Sequence, residues 1–498
     1  MDPLISIVRS WSLLAGGQVV SSVISLVMMV IVSRSLGDED FGRLYLAWSL
    51  TLIAGVVVDL GLSQVVTRAV ARKPALSGPY LRTALIVLGL LGAGLYVLVL
   101  VAATVLGYAP EIQLLTAILG VRMVAEAAAQ LLAAFFQAHE RMLVPSVARV
   151  AGSAITLPLV MLLLAGGYGA AAVAIVMVAG AGLRVVVQAA ALRGLPGFKL
   201  PAPPPPNWRA LLGEGVPFMT AAVLGTLVYK IDVLVLGGMA NDATVGWYGA
   251  ATRTMDAFIV IPLVLTAATL PVLSRLWIDA RSDFDATTRR TLELLLIITV
   301  PLVVMLVVLA DRIIDFLFTL GSYGPAVPIL QIHAVTLAVV FLDHLLVCVL
   351  MASGRERTWI KIIGAACVLI PALNWILVPA AGQAYGNAAL GTALAKLLTE
   401  LFILAAVVRA MPIGIFSAQV VRTAVRAIAL GAVLALALVG SRSIGVPWPL
   451  AAVVAGSGYF AAALRFGLLP TGFLVWIGAR LTRRIPAVAT GGPRADAA

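Results

Sequence analysis

The chain has 498 residues, 62% of them hydrophobic and only 11% charged, with a mean hydropathy of +1.09 and a formal net charge of +12. A water-soluble chain carries roughly 25% charged residues, so composition excludes a soluble domain. The positive charge follows one side of a membrane, as set out below, which removes nucleic acid as its explanation.

Fourteen apolar segments, most of them about twenty residues or longer, succeed one another with short connections. They fall at 12–33, 43–66, 81–106, 111–137, 143–165, 169–192, 210–238, 244–273, 287–310, 326–352, 358–380, 386–409, 418–440 and 447–468. In lipid the backbone must satisfy its own hydrogen bonds, so runs of this kind predict transmembrane helices and an all-α fold. The first, from Trp11 to Ser33, is too long for a signal-peptide core and lacks a small-residue cleavage site. It is expected to remain as a span.

Basic residues set the expected topology. The even-numbered connections and both ends of the chain, from Arg9 through Arg68, Arg141, Arg193, Arg275, Arg355 and Arg409 to Arg484, hold about 25 Lys and Arg. The odd-numbered connections hold only Arg34, Arg43, Arg312 and Arg442. Both termini are therefore expected in the cytoplasm. Arg149 is counted with the cytoplasmic connection that contains Arg141.

The proline run at 201–206 predicts an extended, semi-rigid spacer. It divides the chain into an N-terminal six-span unit (1–193), a cytoplasmic linker (194–209), a second six-span unit (210–410), two extra spans (411–470) and a basic tail (471–498). The stretch Phe473 to Arg484 has the pattern of an amphipathic helix lying on the inner leaflet. The two units echo one another: Phe41, Gly42 and Tyr45 after the first span, Val245, Gly246 and Tyr248 after the seventh. Duplicated six-span units insert in the same orientation, which implies a pseudo-two-fold axis along the membrane normal and a central site between the units. The two cysteines, Cys348 and Cys367, stand in apolar runs with no Cys or His at metal-ligand spacing, which predicts packed thiols.

A charge near the centre of a spanning helix costs about 2.5–3.5 kcal/mol, so embedded charges must face protein or water. Lys230, Arg253 and Arg122 are the candidates for a cationic cavity that receives an anionic headgroup, with Arg184 a weaker one because it can snorkel toward the cytoplasm. Three pairs stand at helical spacing: Arg122 with Glu126, Arg253 with Asp256, and Lys396 with Glu400. Asp59, Asp232, Asp256, His333, Asp343 and His344 are candidates either for ion coupling or for structural pairing, Asp232 as a lock between the seventh span and a neighbour. Gln18 and Ser25, in a stripe with Ser21 and Ser22, together with Tyr45, Trp48, Trp247 and Tyr248, are candidate glycan contacts. Hydroxyls bonded back to their own helix and interfacial aromatic anchors are the plainer alternatives.

At Ser33 to Gly42 (SRSLGDEDFG), and at Asp59, Leu60, Gly61 and Leu62, the sequence resembles the polysaccharide-transporter branch of the MOP flippase superfamily. Gly215, Val216 and Pro217, Lys230 to Asp232, Val245 to Tyr248, Arg253, Gly354 and Arg355, and Asn374 to Pro379 extend the likeness over most of residues 10 to 410. The resemblance implies a MATE-like fold of two six-helix lobes with extra C-terminal helices. It implies a flippase of the bacterial cytoplasmic membrane that moves undecaprenyl-pyrophosphate-linked oligosaccharides outward for O-antigen, capsule or exopolysaccharide assembly. It further implies alternating access, for which Pro217 and Pro262 are bend points, and H+ or Na+ coupling without any other cofactor. Its partners would be the lipid-linked anionic glycan, membrane lipid, a polysaccharide polymerase and other assembly proteins, with a monomer as the working unit.

A lipid II flippase and a MATE-type multidrug antiporter share the fold. The antiporter needs an acidic cavity for cationic drugs, whereas the embedded charges here are at least as basic as acidic. A membrane-bound glycan polymerase or ligase is disfavoured by short outer connections, of which Gly166, Gly167 and Tyr168 are nearly one entire example.

Overall fold

In a computed structural model, residues 3–74, 77–192, 208–411 and 417–468 are described, and they are helical with no strand among them. The expected linker at 194–209, apart from its last two residues, and the amphipathic stretch at 473–484 lie outside the described residues. Helix α1 (Pro3–Asp59) runs for 57 residues. At about 1.5 Å per residue an unbroken helix of that length is more than twice as long as a bilayer core is thick. It turns at Gly37, whose φ of 79° and ψ of −179° lie where a side chain is not tolerated. The first expected span thus lies in α1 before Gly37, and the second runs from the part of α1 after Gly37 into the next helix.

The remaining helices are α2 (Leu62–Arg72), α3 (Ser77–Val105), α4 (Pro110–Ala138), α5 (Leu143–Ala165), α6 (Ala170–Leu192), α7 (Trp208–Met239), α8 (Asp242–Asp279) and α9 (Arg281–Val308). They continue with α10 (Ala310–Phe318), α11 (Leu320–Tyr323), α12 (Ala326–Ala352), α13 (Glu356–Tyr385), α14 (Ala388–Ala410), α15 (Ala418–Ser443) and α16 (Trp448–Arg465). Each later expected span coincides with one of these helices. Twelve helical stretches among the described residues are long and apolar enough to cross a membrane. That count differs from the expected fourteen because α1 and α2 form one run from Val20 to Arg72 holding two expected spans, and because α16 is not among the twelve. The short helices α2, α10 and α11 were not expected from the sequence.

Packing follows the apolar faces. α4 lies against α1, α2, α3 and α6, while α5 lies against α1 and α6; α12 packs on α8, α9 and α14, and α13 on α7 and α14; α15 packs on α9 and α16. α1 joins the two sets by packing on both α7 and α8. Leu90 (72% exposed), Leu162 (69%) and Leu436 (72%) point away from the bundle on α3, α5 and α15. Exposed apolar side chains in such number would be a liability in water and are the expected surface in lipid. Cys348 and Cys367 are free thiols on α12 and α13, as anticipated.

The two echoed sequence segments meet each other. A side chain at Gly42 would collide with the carbonyl oxygen of Asp242, and one at Gly246 would collide with that of Asp38. Positions 38, 42 and 43 recur as 242, 246 and 247, each 204 further along. Polar contacts repeat the same exchange: Arg43 Nε donates to Asp242 at 2.8 Å, and Trp247 Nε1 donates to Asp38 at 2.9 Å. This is a self-complementary contact of the kind a two-fold axis generates, here within one chain. It joins the turn of α1 at Gly37 to the start of α8, at the side that the charge bias predicts to be the outer one. Tyr323 braces it from α11 by donating to the carbonyls of Ser33 (3.1 Å) and Gly37 (2.9 Å). Burial, and secondarily the Asp38 carboxylate, hold the Tyr323 phenol protonated well above the ordinary tyrosine range.

Candidate functional site

Where α1, α7, α8 and α14 meet, buried charges of α7, α8 and α14 converge beside two aromatic side chains of α1. Lys396 on α14 is 1% exposed and donates to Asp232 on α7 at 3.0 Å and to the Tyr229 carbonyl at 3.3 Å. Asp232, fully buried, also accepts from the Tyr248 hydroxyl on α8 and from the Val233 backbone N–H. Asp232 thus ties α7 to α8 and α14. The expected pairing of Lys396 with Glu400 on the same helix does not form. Spacing along one helix permits such a pair, but a fully buried carboxylate on α7 is the stronger claimant because it has no water to fall back on.

Two residues before Asp232, Lys230 on α7 is 2% exposed. It donates to the Tyr45 hydroxyl at 3.2 Å, lies 4.6 Å from the Tyr229 ring centre and is 3.9 Å from the Asp256 carboxylate. Asp256 on α8 also accepts from the Tyr229 hydroxyl and lies 3.6 Å from Arg253. The Arg253 guanidinium sits 3.5 Å above the Trp48 ring and 5.4 Å from the Tyr45 ring, both on α1. A cation over an aromatic face is stabilised without an anion, which keeps Arg253 at the α1–α8 boundary with two nitrogens, Nε and Nη2, buried and without an acceptor. Lys230 and Arg253 therefore do face a common junction between α1 and the second set of helices.

Across that junction, Arg122 on α4 is within electrostatic reach of Arg253. Glu126, one turn along α4, accepts from Arg122 at 3.3 Å through one carboxylate oxygen and from Arg184 of α6 through the other. Arg149 is not in a cytoplasmic connection as expected; it sits inside α5, within electrostatic reach of Arg184 and Glu126. Arg184 likewise points into this cluster rather than away to the interface. The arrangement concentrates three guanidiniums on α4, α5 and α6 around one carboxylate, with a fourth guanidinium, Arg253 on α8, within electrostatic reach of Arg122. Such a surface suits an anion with several acceptor oxygens.

The remaining candidates are distributed around this core. Tyr45 and Tyr248 are fully buried and engaged with Lys230 and Asp232, so neither offers a free ring to a sugar in this conformation. Trp48 is committed to Arg253, and Trp247 to the contact with Asp38 and the Ser322 carbonyl. Ser25 is exposed on α1, while the side chain of Gln18 lies outside the described residues. Asp59 accepts from Ser63 where α1 ends. His333, fully buried on α12, shares a 3.1 Å hydrogen bond with Thr252 and packs edge-on against Tyr248. His344 bonds at 2.8 Å to the Val340 carbonyl of its own helix. Asp343 on α12 faces Glu400 on α14, carboxyl to carboxyl. No group of three or more His, Cys, Asp or Glu that would hold a metal ion is found among the described residues.

The fold places the chain in a known class. It superposes on a solved structure of the lipid II flippase MurJ in an inward closed conformation with a TM-score of 0.69 at 15% identity, covering 92% of this chain and all of that one. An inward-facing multidrug resistance MATE family transporter of the MOP superfamily matches with a TM-score of 0.67 at 15% identity, over 82% of this chain and 95% of the other. A MOP superfamily transporter from Pyrococcus furiosus, described as having a binding pocket of reverse polarity, matches at 0.58 and 16%, over 82% and 96%. The chain shares the fold of these solved membrane proteins, and its twelve long apolar helical stretches accord with a multi-pass membrane protein. The sequence profile of the family described as polysaccharide biosynthesis protein matches residues 7–277, and the chain belongs to that family. No curated protein sequence matches it.

Proposed function

We propose that the protein is a flippase of a bacterial cytoplasmic membrane, carrying undecaprenyl-pyrophosphate-linked oligosaccharide units from the inner to the outer leaflet for O-antigen, capsule or exopolysaccharide assembly. The observation that carries this reading is the excess of guanidiniums on α4–α6, facing Arg253 across the junction with α8. A pyrophosphate entering that junction meets cations in a region of low dielectric, where they hold it far more strongly than in water. The polyprenyl chain stays in lipid while the glycan passes between the two sets of helices. Membership of the polysaccharide biosynthesis family supports the glycan cargo.

Transport proceeds by alternating access. The contact at Gly42 and Gly246 closes one end, and the proline Pro262 within α8 gives that helix a place to bend. Pro217 of α7 is a second bend point by sequence alone. Coupling is to H+ or Na+, for which Asp343 facing Glu400 between α12 and α14 is a candidate site, whereas Asp232 already has Lys396 as its counter-ion. The working unit is a monomer with both termini in the cytoplasm, delivering its cargo to a polymerase on the outer side.

The likeness to the lipid II flippase favours a second reading with the same headgroup chemistry. A deletion strain separates the two. Loss of the gene is expected to leave growth intact while a lipid-linked oligosaccharide accumulates at the inner leaflet, inaccessible to external glycosidase. Arrested peptidoglycan synthesis with lipid II accumulation would select the second reading instead.

A further inference from the structure

Glu126 is placed as a ligand would be. Its two carboxylate oxygens are divided between two arginines from different helices, Arg122 on α4 and Arg184 on α6. Arg149 of α5 adds a third positive charge within electrostatic reach of Glu126 and Arg184, and the one other acidic residue of α4–α6, Glu111, stands at the far end of α4. Of the bridged trio, Glu126 has the most exposed side chain, 31% against 21% for Arg122 and 15% for Arg184. A carboxylate whose role was to lock helices together would be the more enclosed partner. Arg184 Nε and Arg253 Nε and Nη2 are buried donors with no acceptor, and such groups destabilise a site unless something fills it for part of the cycle.

We infer that Glu126 is a resident substitute for phosphate: it neutralises Arg122 and Arg184 when the site is empty, and the diphosphate of the cargo displaces it. The inference rests on the flippase reading for the identity of the cargo. A diphosphate brings more acceptor oxygens than one carboxylate, enough for the two arginines and for the unused donors of Arg184 and Arg253. Expelling Glu126 costs part of that gain, so the headgroup is held strongly enough to be captured and weakly enough to be released. When the diphosphate leaves, Glu126 returns and the guanidiniums are never left facing each other alone.

Binding of inorganic pyrophosphate and of undecaprenyl pyrophosphate to the full-length protein in detergent tests this. Glu126→Gln keeps the shape and removes the competing charge, and it is expected to tighten both ligands by about tenfold, with turnover in transport reduced. Glu126→Asp, which keeps the charge but cannot reach both arginines, is expected to tighten them by less. It provides the same comparison should the glutamine variant fail to fold. Tighter binding of undecaprenyl pyrophosphate alone would also support the exchange and would assign the site to lipid headgroups rather than to free phosphate. Equal or weaker binding by either variant, in protein that melts like the wild type, overturns the exchange while leaving the anion site intact. Binding of neither ligand by wild type or variants overturns the exchange and the anion site together.

Discussion

Replacing Lys396 by methionine is expected to cost about 3–5 kcal/mol of stability, more than any other single change at the site. The ammonium is 1% exposed and is the counter-ion of Asp232, which has no exposure at all. Methionine fills the space of the aliphatic stem but leaves the Asp232 carboxylate in a low-dielectric interior with only Tyr248 and a backbone N–H for support. Asp232→Asn on the same background removes the stranded charge. Replacing both members of a buried pair is often neutral, so the double variant is expected to recover most of the loss. Thermal unfolding in detergent reads the difference. A single variant that melts with the wild type, or a double variant that melts no higher than the single, shows that the pair does not hold α7 to α14.

Gly246→Val is expected to prevent closure at the outer end and to abolish transport, with a loss of roughly a hundredfold or more. The α1 and α8 backbones touch at this glycine, and a side chain there meets the Asp38 carbonyl rather than another side chain that can turn aside. The helices must separate, and the paired hydrogen bonds Arg43–Asp242 and Trp247–Asp38 separate with them. Ser49, fully buried on α1 beyond the contact, then becomes accessible. In a background with Cys348 and Cys367 replaced by alanine, Ser49→Cys is expected to react with a membrane-impermeant maleimide added outside only when Gly246→Val is present. Labelling that is unchanged by the substitution would show that this contact does not close the path.

The helices were legible in the sequence because the bilayer leaves a long apolar segment little choice of structure. The short helices α2, α10 and α11 were not, since pieces of 4 to 11 residues at the ends of spans carry too little apolar period to announce themselves. Within the site, the pairs Arg122–Glu126 and Arg253–Asp256 could be read from spacing on one helix. Lys396 could not, because its partner comes from α7, 164 residues away. From the sequence Arg149 counts with a cytoplasmic connection and Arg184 is only a weaker candidate for the cavity, because position along a span does not reveal which way a side chain turns. Only the packing of α4, α5 and α6 brings them to Glu126. Tyr45, Trp48 and Tyr248, candidate glycan contacts by sequence, touch cations and a carboxylate here. The echo between Gly42 and Gly246 pointed to duplication, and the structure adds that the duplicated positions face one another.

On the proposed reading, the cationic junction flanked by Arg122 and Arg253 carries a pyrophosphate-linked glycan across the membrane. The most direct measurement is translocation of an undecaprenyl-pyrophosphate oligosaccharide in proteoliposomes, comparing wild type with Arg253→Ala. Rapid flipping by the wild type and its loss in the variant, at unchanged melting temperature, is the predicted result. No flipping of several such glycans by the wild type, with or without a proton or sodium gradient, or equal flipping by the variant, would contradict it.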